Sequence, residues 1–168
     1  MLPLDAKLTT PVEYLYKWEK ETPNKVFLRQ PYGSSWTELS YKETGAQARK
    51  LASGLQTLGL EKGSHIALVS KNCYHWVIAD LAIMMIGCVS VPMYPSLDAS
   101  QLHAVLDKSD STAVIVGKVG KWNAEKDKAI GDRLKIVMPH YEGNAKVPGG
   151  HDWDQLIAQS KPLENVHT

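Results

Sequence analysis

The chain has 168 residues, 43% of them hydrophobic and 22% charged, which is the size of one globular domain able to bury about 69% of its unfolded surface. Nineteen Lys plus Arg against eighteen Asp plus Glu leave a formal charge of +1, too balanced for the basic field that holds nucleic acid. Two cysteines, Cys73 and Cys88, stand far apart with no CxxC pair, so neither a zinc site nor a disulfide framework is indicated; both read as small buried hydrophobes of a reducing compartment. No signal-peptide stretch opens the chain, and a cytosolic location is expected. Residues 76–93 are nearly all apolar, yet Asp80 interrupts them and Gly87, Ser90 and Pro92 limit any helix to about 22 Å, short of the ~30 Å hydrocarbon layer. A buried helix is expected, with no transmembrane span.

Thr10 with Pro11 and Glu13 forms a capping box that opens the first helix, and Thr22-Pro23 ends it. Two extended runs at 26–29 and 35–39 flank the turn Pro31-Tyr32-Gly33 and predict a hairpin. A second capping box, Ser40 to Glu43, starts an amphipathic helix with Tyr41, Thr44, Ala48, Leu51, Leu55 and Leu58 on one face and Gly59 as its stop. Residues 66–69 form a short apolar run of the kind a strand covered on both faces shows. Asn72 is the expected cap of the next helix, apolar all round and ended by Gly87. A strand at 89–91 is closed by Pro92, and Asp98 with Gln101 caps a helix lined by Leu102, Val105 and Leu106. A buried strand at 113–116, a helix at 123–130, a strand at 134–138 and a last helix at 152–159 complete the order. The fold class this predicts is α/β: a mostly parallel sheet flanked by helices, with a short amino-terminal hairpin.

Such a fold invites a search for phosphate-cradling glycines. Gly117-Lys118-Val119-Gly120-Lys121 lacks the third glycine of a dinucleotide loop and the Gly-Lys-Ser/Thr ending of a P-loop, and reads as a solvated turn between strand and helix. The six histidines, His65, His75, His103, His140, His151 and His167, show no metal-ligand spacing. His75 and Cys73 are two apart on a helix and point in different directions, so they make no nucleophile and base. No Gly-x-Ser-x-Gly elbow occurs. Trp18, Trp36, Trp76, Trp122 and Trp153 read as core and seam anchors before any base-stacking platform. The residues alone give a soluble α/β domain without a catalytic set.

The order of segments resembles the amino-terminal part of the adenylate-forming acyl-CoA synthetases, nearest their long-chain fatty-acid–CoA ligase branch. The resemblance is carried by Thr10-Pro11, the run 22–31, Trp36 with Leu39-Ser40-Tyr41 and Glu43, the runs 51–55 and 58–59, Ser70-Lys71-Asn72-Cys73 with His75-Trp76, the run 80–83 with Gly87, and the run 89–95. It implies a partial large domain of that fold over 1–168. It further implies that the full-length protein makes an acyl-adenylate from a fatty acid and ATP and passes the acyl group to coenzyme A, with Mg²⁺ as metal. The family's phosphate loop, acidic metal-binding residue, ribose Asp and carboxy-terminal Lys would all lie past Thr168. No catalytic, cofactor-binding or metal residue is therefore assigned within the chain, which is expected to be an inactive amino-terminal piece of a ligase. Self-association through uncovered apolar faces is expected, and peripheral membrane attachment of the full-length protein is left open. Two other readings stand beside it: a stand-alone noncatalytic interaction module, and a nucleotide-dependent oxidoreductase domain suggested by fold pattern alone.

Overall fold

The structure is a computed structural model and describes residues 9–164. Helix α1 (Pro11–Glu21), strands β1 (Val26–Tyr32) and β2 (Ser35–Ser40) and helix α2 (Tyr41–Thr57) come first. Both expected capping boxes form: Thr10 and Ser40 each accept from the N3 amide, while Glu13 and Glu43 reach back to the cap amide. This satisfies donors that the first helical turn otherwise leaves orphaned. Strands β1 and β2 pair antiparallel from Val26 opposite Ser40 to Tyr32 opposite Ser35, a longer hairpin than the apolar runs alone suggest.

Strand and helix then alternate: β3 (His65–Val69), α3 (Tyr74–Met85), β4 (Val89–Met93), α4 (Ala99–Lys108), β5 (Ser111–Val116), α5 (Ala124–Ile130), β6 (Leu134–Val137), β7 (His151–Asp152) and α6 (Trp153–Gln159). The second sheet is parallel throughout, in the order β4-β3-β5-β6-β7. Its core follows from side-chain alternation along each strand. Ile66, Leu68, Ala113, Ile115 and Ile136 face one cluster with Leu51, Leu55, Ile78 and Ile83 from α2 and α3. Ala67, Val69, Val114 and Val116 face the other, with Leu102 and Leu106 from α4 and Ala129 and Ile130 from α5. Covering on both faces explains why these strands read as continuous apolar runs. At Gly54 α2 closes on α6: a Cβ there would lie 2.7 Å from Leu156 Cγ.

Four expectations need correction. Asn72 does not cap α3: Cys73 is the N-cap residue, extended at φ −162°, and no side chain bonds the first turn. The reason lies just upstream, where the Lys71 amide is held by the Lys118 carbonyl at 2.8 Å, keeping the chain extended one residue longer. Pro92 lies inside β4, opposite Leu68, because β4 is the sheet edge and a missing N–H there leaves no ladder bond unmade. Val105 is 38% exposed, on the flank of a stripe that buries only Leu102 and Leu106. Trp36 anchors nothing: it is 60% exposed on the hairpin, with the Arg29 guanidinium 5.7 Å from its ring centre. Trp153, 1% exposed, does act as a core anchor. The short strand β7 had no signal in the sequence, since two exposed residues carry no periodicity.

Candidate functional site

Strand β4 returns to one side of β3 and β5 to the other, so the chain direction switches between β3 and β5, where open α/β sheets most often bind ligands. Here that crevice is stitched shut. The Lys118 amide donates to Ser70 Oγ at 2.8 Å, the Gly117 amide to the Val69 carbonyl at 3.0 Å, and the Lys71 amide to the Lys118 carbonyl. Gly117 is required by this closure, because a Cβ there would sit on Met138 Sδ and Ser70 Oγ. The stretch 117–121 is thus partly interior, with Val119 fully buried, where a wholly solvated turn was expected.

Open space lies on either side of the stitched point. A cleft of about 510 Å³ runs between the loop after β4 and the start of α5, lined by Lys71, Pro95, Asp98, Lys121, Asn123 and Lys126. This is within the size range of small-molecule sites. Three lysines face a single acid there. The Asp98 carboxylate is already engaged as the cap of α4, accepting from the Gln101 amide at 2.9 Å and the Ser100 hydroxyl at 2.8 Å. These bonds hold its carboxyl below the usual range, led by the Gln101 amide. Lys126 is the unusual member. It is 8% exposed, its Nζ donates to the Pro95 carbonyl at 3.2 Å, and no carboxylate among the described residues comes within ion-pair distance of it. Burying an ammonium with one neutral acceptor is costly unless an anion completes its shell. Lys121 has no hydrogen-bond partner among the described residues, and Lys71 reaches only Asn144 Oδ1 at 3.4 Å.

A second cleft of about 670 Å³, over the ends of β3 and β4, is lined by Ser70, Asn72, Trp76, Met93 and Tyr94 and shares Lys71 and Pro95 with the first. Together they make one trough, basic at one end and aromatic at the other.

Behind the stitched point lies a junction of a different kind. His75, 5% exposed, shares a 2.6 Å hydrogen bond with the Tyr141 hydroxyl and packs edge-on against Trp153 at 5.2 Å. Tyr32 stacks on Tyr141 at 5.7 Å. Burial lowers the His75 pKa to about 4, and burial together with the adjacent Cys73 pushes the Tyr141 phenol up. The Cys73 thiol lies 3.8 Å from Ser70 Oγ and also acts on the Tyr141 phenol, so it borders the bond between His75 and Tyr141. Of the other histidines, His65 bonds the Ser109 carbonyl, His103 pairs with Asp107, His140 bonds the Asn144 carbonyl and His151 is exposed; His167 lies outside the described residues. No three His, Cys, Asp or Glu residues converge among the described residues. No helix of the described residues is long and apolar enough to cross a membrane.

This fold belongs to a defined class. The AMP-binding enzyme family matches residues 15–162, and the chain is a member of it. Among its relatives, the long-chain-fatty-acid–CoA ligase FadD15 of Mycobacterium tuberculosis is 33% identical over 102 residues, covering 61% of this chain and 17% of the relative. The uncharacterized protein Rv1549 of the same organism is 30% identical over 107 residues, covering 64% of this chain and 60% of the relative. The crystal structure of the anthranilate CoA ligase AuaEII with anthranoyl-AMP superposes at a TM-score of 0.77 and 17% identity, over 99% of this chain and 30% of that one. The chain therefore spans between 17% and 30% of these ligases' length, and the α/β architecture expected from the sequence is that of adenylate-forming CoA ligases.

The lysines of the trough were not singled out from the sequence. Lys121 sat inside the Gly-Lys stretch set aside for lack of a P-loop ending, and Lys126 fell within the helix expected at 123–130 with no role given to it. What sets Lys126 apart is its burial beside the Pro95 carbonyl, which only the fold supplies; Lys71 and Lys121 are exposed.

Proposed function

We propose that this chain is the amino-terminal scaffold of an ATP-dependent long-chain fatty-acid–CoA ligase. In that reaction a carboxylate oxygen bonds to the α-phosphorus of ATP and pyrophosphate leaves; the coenzyme A sulfur then bonds to the acyl carbon and AMP leaves. Every non-acyl substrate carries phosphate. The residues of this chain contribute counter-charge and orientation: Lys126, Lys121 and Lys71 bind a phosphate-bearing substrate, and the bonds between 69–71 and 117–118 hold the trough's base rigid. The observation that carries this reading is the excess of three lysines over one carboxylate in the cleft, with Lys126 buried and its Nζ on the Pro95 carbonyl. The long-chain acyl group rests on the names of relatives, and a role in lipid metabolism at a cytoplasmic location goes with it.

No residue of 9–164 is assigned to bond making or to metal, so the chain alone is not expected to turn over ATP. The test compares residues 1–168 with the same chain carried forward into its following coding sequence, each given ATP, Mg²⁺, palmitate and coenzyme A. The extended protein is expected to release AMP and palmitoyl-CoA, and the Lys126→Met variant to need more of a phosphate-bearing substrate for half-maximal rate. Turnover by residues 1–168 alone, or an extended protein that makes no acyl-CoA, overturns the reading.

A second reading, a noncatalytic interaction module, is favoured by one observation: Rv1549 is matched over most of its length by a stretch of this size. A stop codon directly after Thr168 would support it.

A further inference from the structure

We propose that the outer edge of β2 is a self-association edge, where a second copy of this chain lays its own β2 antiparallel and joins the two hairpins into one continuous sheet. The inference stands apart from the ligase reading and from the trough. Bond direction along the hairpin is its starting point. Tyr32 and Ser35 flank a two-residue turn led by Gly33 at φ 57°, so they exchange backbone bonds, as do Gln30 with Thr37 and Leu28 with Leu39. Pro31 opposite Trp36 and Arg29 opposite Glu38 are the alternate, unbonded pairs, in keeping with a proline that has no N–H. The N–H and C=O groups of Trp36 and Glu38 therefore point away from β1, and they bond nothing among the described residues. The other sheet edges are closed to a new strand. On β1 the outward residues include Pro31. On β4 the Val89 amide donates toward β3, to the Ser64 carbonyl, which turns Ser90 and Pro92 outward. Strand β7 is two residues long. Prolines and short strands are the usual protection of an edge, and β2 has neither.

Self-complementarity selects a second copy as the occupant. Two β2 strands paired antiparallel about Thr37 set Trp36 opposite Glu38 of the partner subunit and the reverse, so every free N–H meets a free C=O. Charges agree with this register. Arg29 is ion-paired with Glu38 at 2.5 Å and lies 5.7 Å from the Trp36 ring centre, so it faces Glu38 of the partner subunit across that ring. A slip of two residues would instead set Glu38 against Glu38 of the partner subunit, a like-charge pair. The two Trp36 residues stand on the diagonal, about 7–8 Å apart and within reach of aromatic side chains. A ring that is 60% exposed in one copy thereby gains a partner in two.

Sedimentation equilibrium and tryptophan fluorescence over a dilution series of residues 1–168 test this. Expected is a monomer–dimer equilibrium with an emission shift that Trp36→Phe removes. Glu38→Pro deletes an outward N–H on each copy, spares the hairpin's own bonds and should weaken dimerisation about tenfold or more with the circular dichroism spectrum unchanged. Trp36→Ala, at an exposed position, should weaken it as well. In the predicted register Thr37 meets Thr37 of the partner subunit at a Cα separation of about 4.5 Å, so oxidised Thr37→Cys should form a cross-linked dimer and Ser35→Cys should not. A monomer at every concentration, or a dimer that both Glu38→Pro and Trp36→Ala leave at full strength, overturns the proposal. So does Trp36 protection seen only when the chain is carried forward into its following coding sequence, which would give the edge to that sequence.

Discussion

The junction around His75 and the lysine trough sit on opposite sides of the same stitched strand ends, and they treat polar groups in opposite ways. At the junction His75, Tyr141 and Trp153 find partners within the chain and are buried, and half-buried Tyr32 stacks over them. In the trough Lys126 is buried with its Nζ on a carbonyl, two exposed lysines stand near it, and the one acid, Asp98, caps α4 while also interacting electrostatically with Lys126, so three cations share one carboxylate. Polar groups that are paired hold a fold together; charges left without a partner in a cleft are what a ligand completes. The first region is therefore structural and the second is the place to look for binding.

Substitutions sharpen that contrast from its largest effect downward. Trp153→Ala empties the junction's centre and is expected to cost about 3–5 kcal/mol in urea unfolding. Acid should weaken the junction in its own way. The His75 pKa falls from 6.5 free to about 4 folded, so its contribution is fully present above pH 6.5 and is lost as pH drops toward 4. That amounts to about 3 kcal/mol. Asp98, Asp127 and Glu43, whose carboxyls are also held low, lose stability over a more acid range, so the difference between the wild-type chain and His75→Gln at pH 7 and pH 4.5 isolates the histidine. Gly117→Ala forces Met138 and Ser70 apart and should cost about 1–3 kcal/mol, with added exchange of the Lys118 amide in hydrogen-exchange measurements. Lys126→Met should leave the melting temperature unchanged or raise it, since an incompletely paired buried charge is replaced by an apolar side chain of similar length. A fall comparable to that of Trp153→Ala would place Lys126 with the structural groups and erase the distinction.

Much of this architecture was legible in the chain because local chemistry and tertiary packing agree. The capping boxes at Thr10, Ser40 and Asp98 form as spaced, and the runs at 66–69 and 113–116 become central strands because only a strand buried on both faces lacks polar alternation. Asn72 misled because capping depends on backbone conformation as well as residue type, and that conformation is fixed by a bond from Lys71 to a loop 47 residues further along the chain. Trp36 misled because an aromatic ring on a hairpin has two faces available, and pairing decides which one is exposed. The trough was invisible for a related reason. Its lysines come from three separate loops or helix starts, and lysine is the residue least informative in isolation, being solvated nearly everywhere else.

The account turns on whether the trough's positive charge awaits an anion. Calorimetric titration of tripolyphosphate into the wild-type chain and into Lys126→Met, at low and at high salt, measures this most directly. The prediction is saturable binding to the wild-type chain that weakens with salt and falls at least tenfold in the variant. Equal binding by both proteins, or none by either, would contradict it.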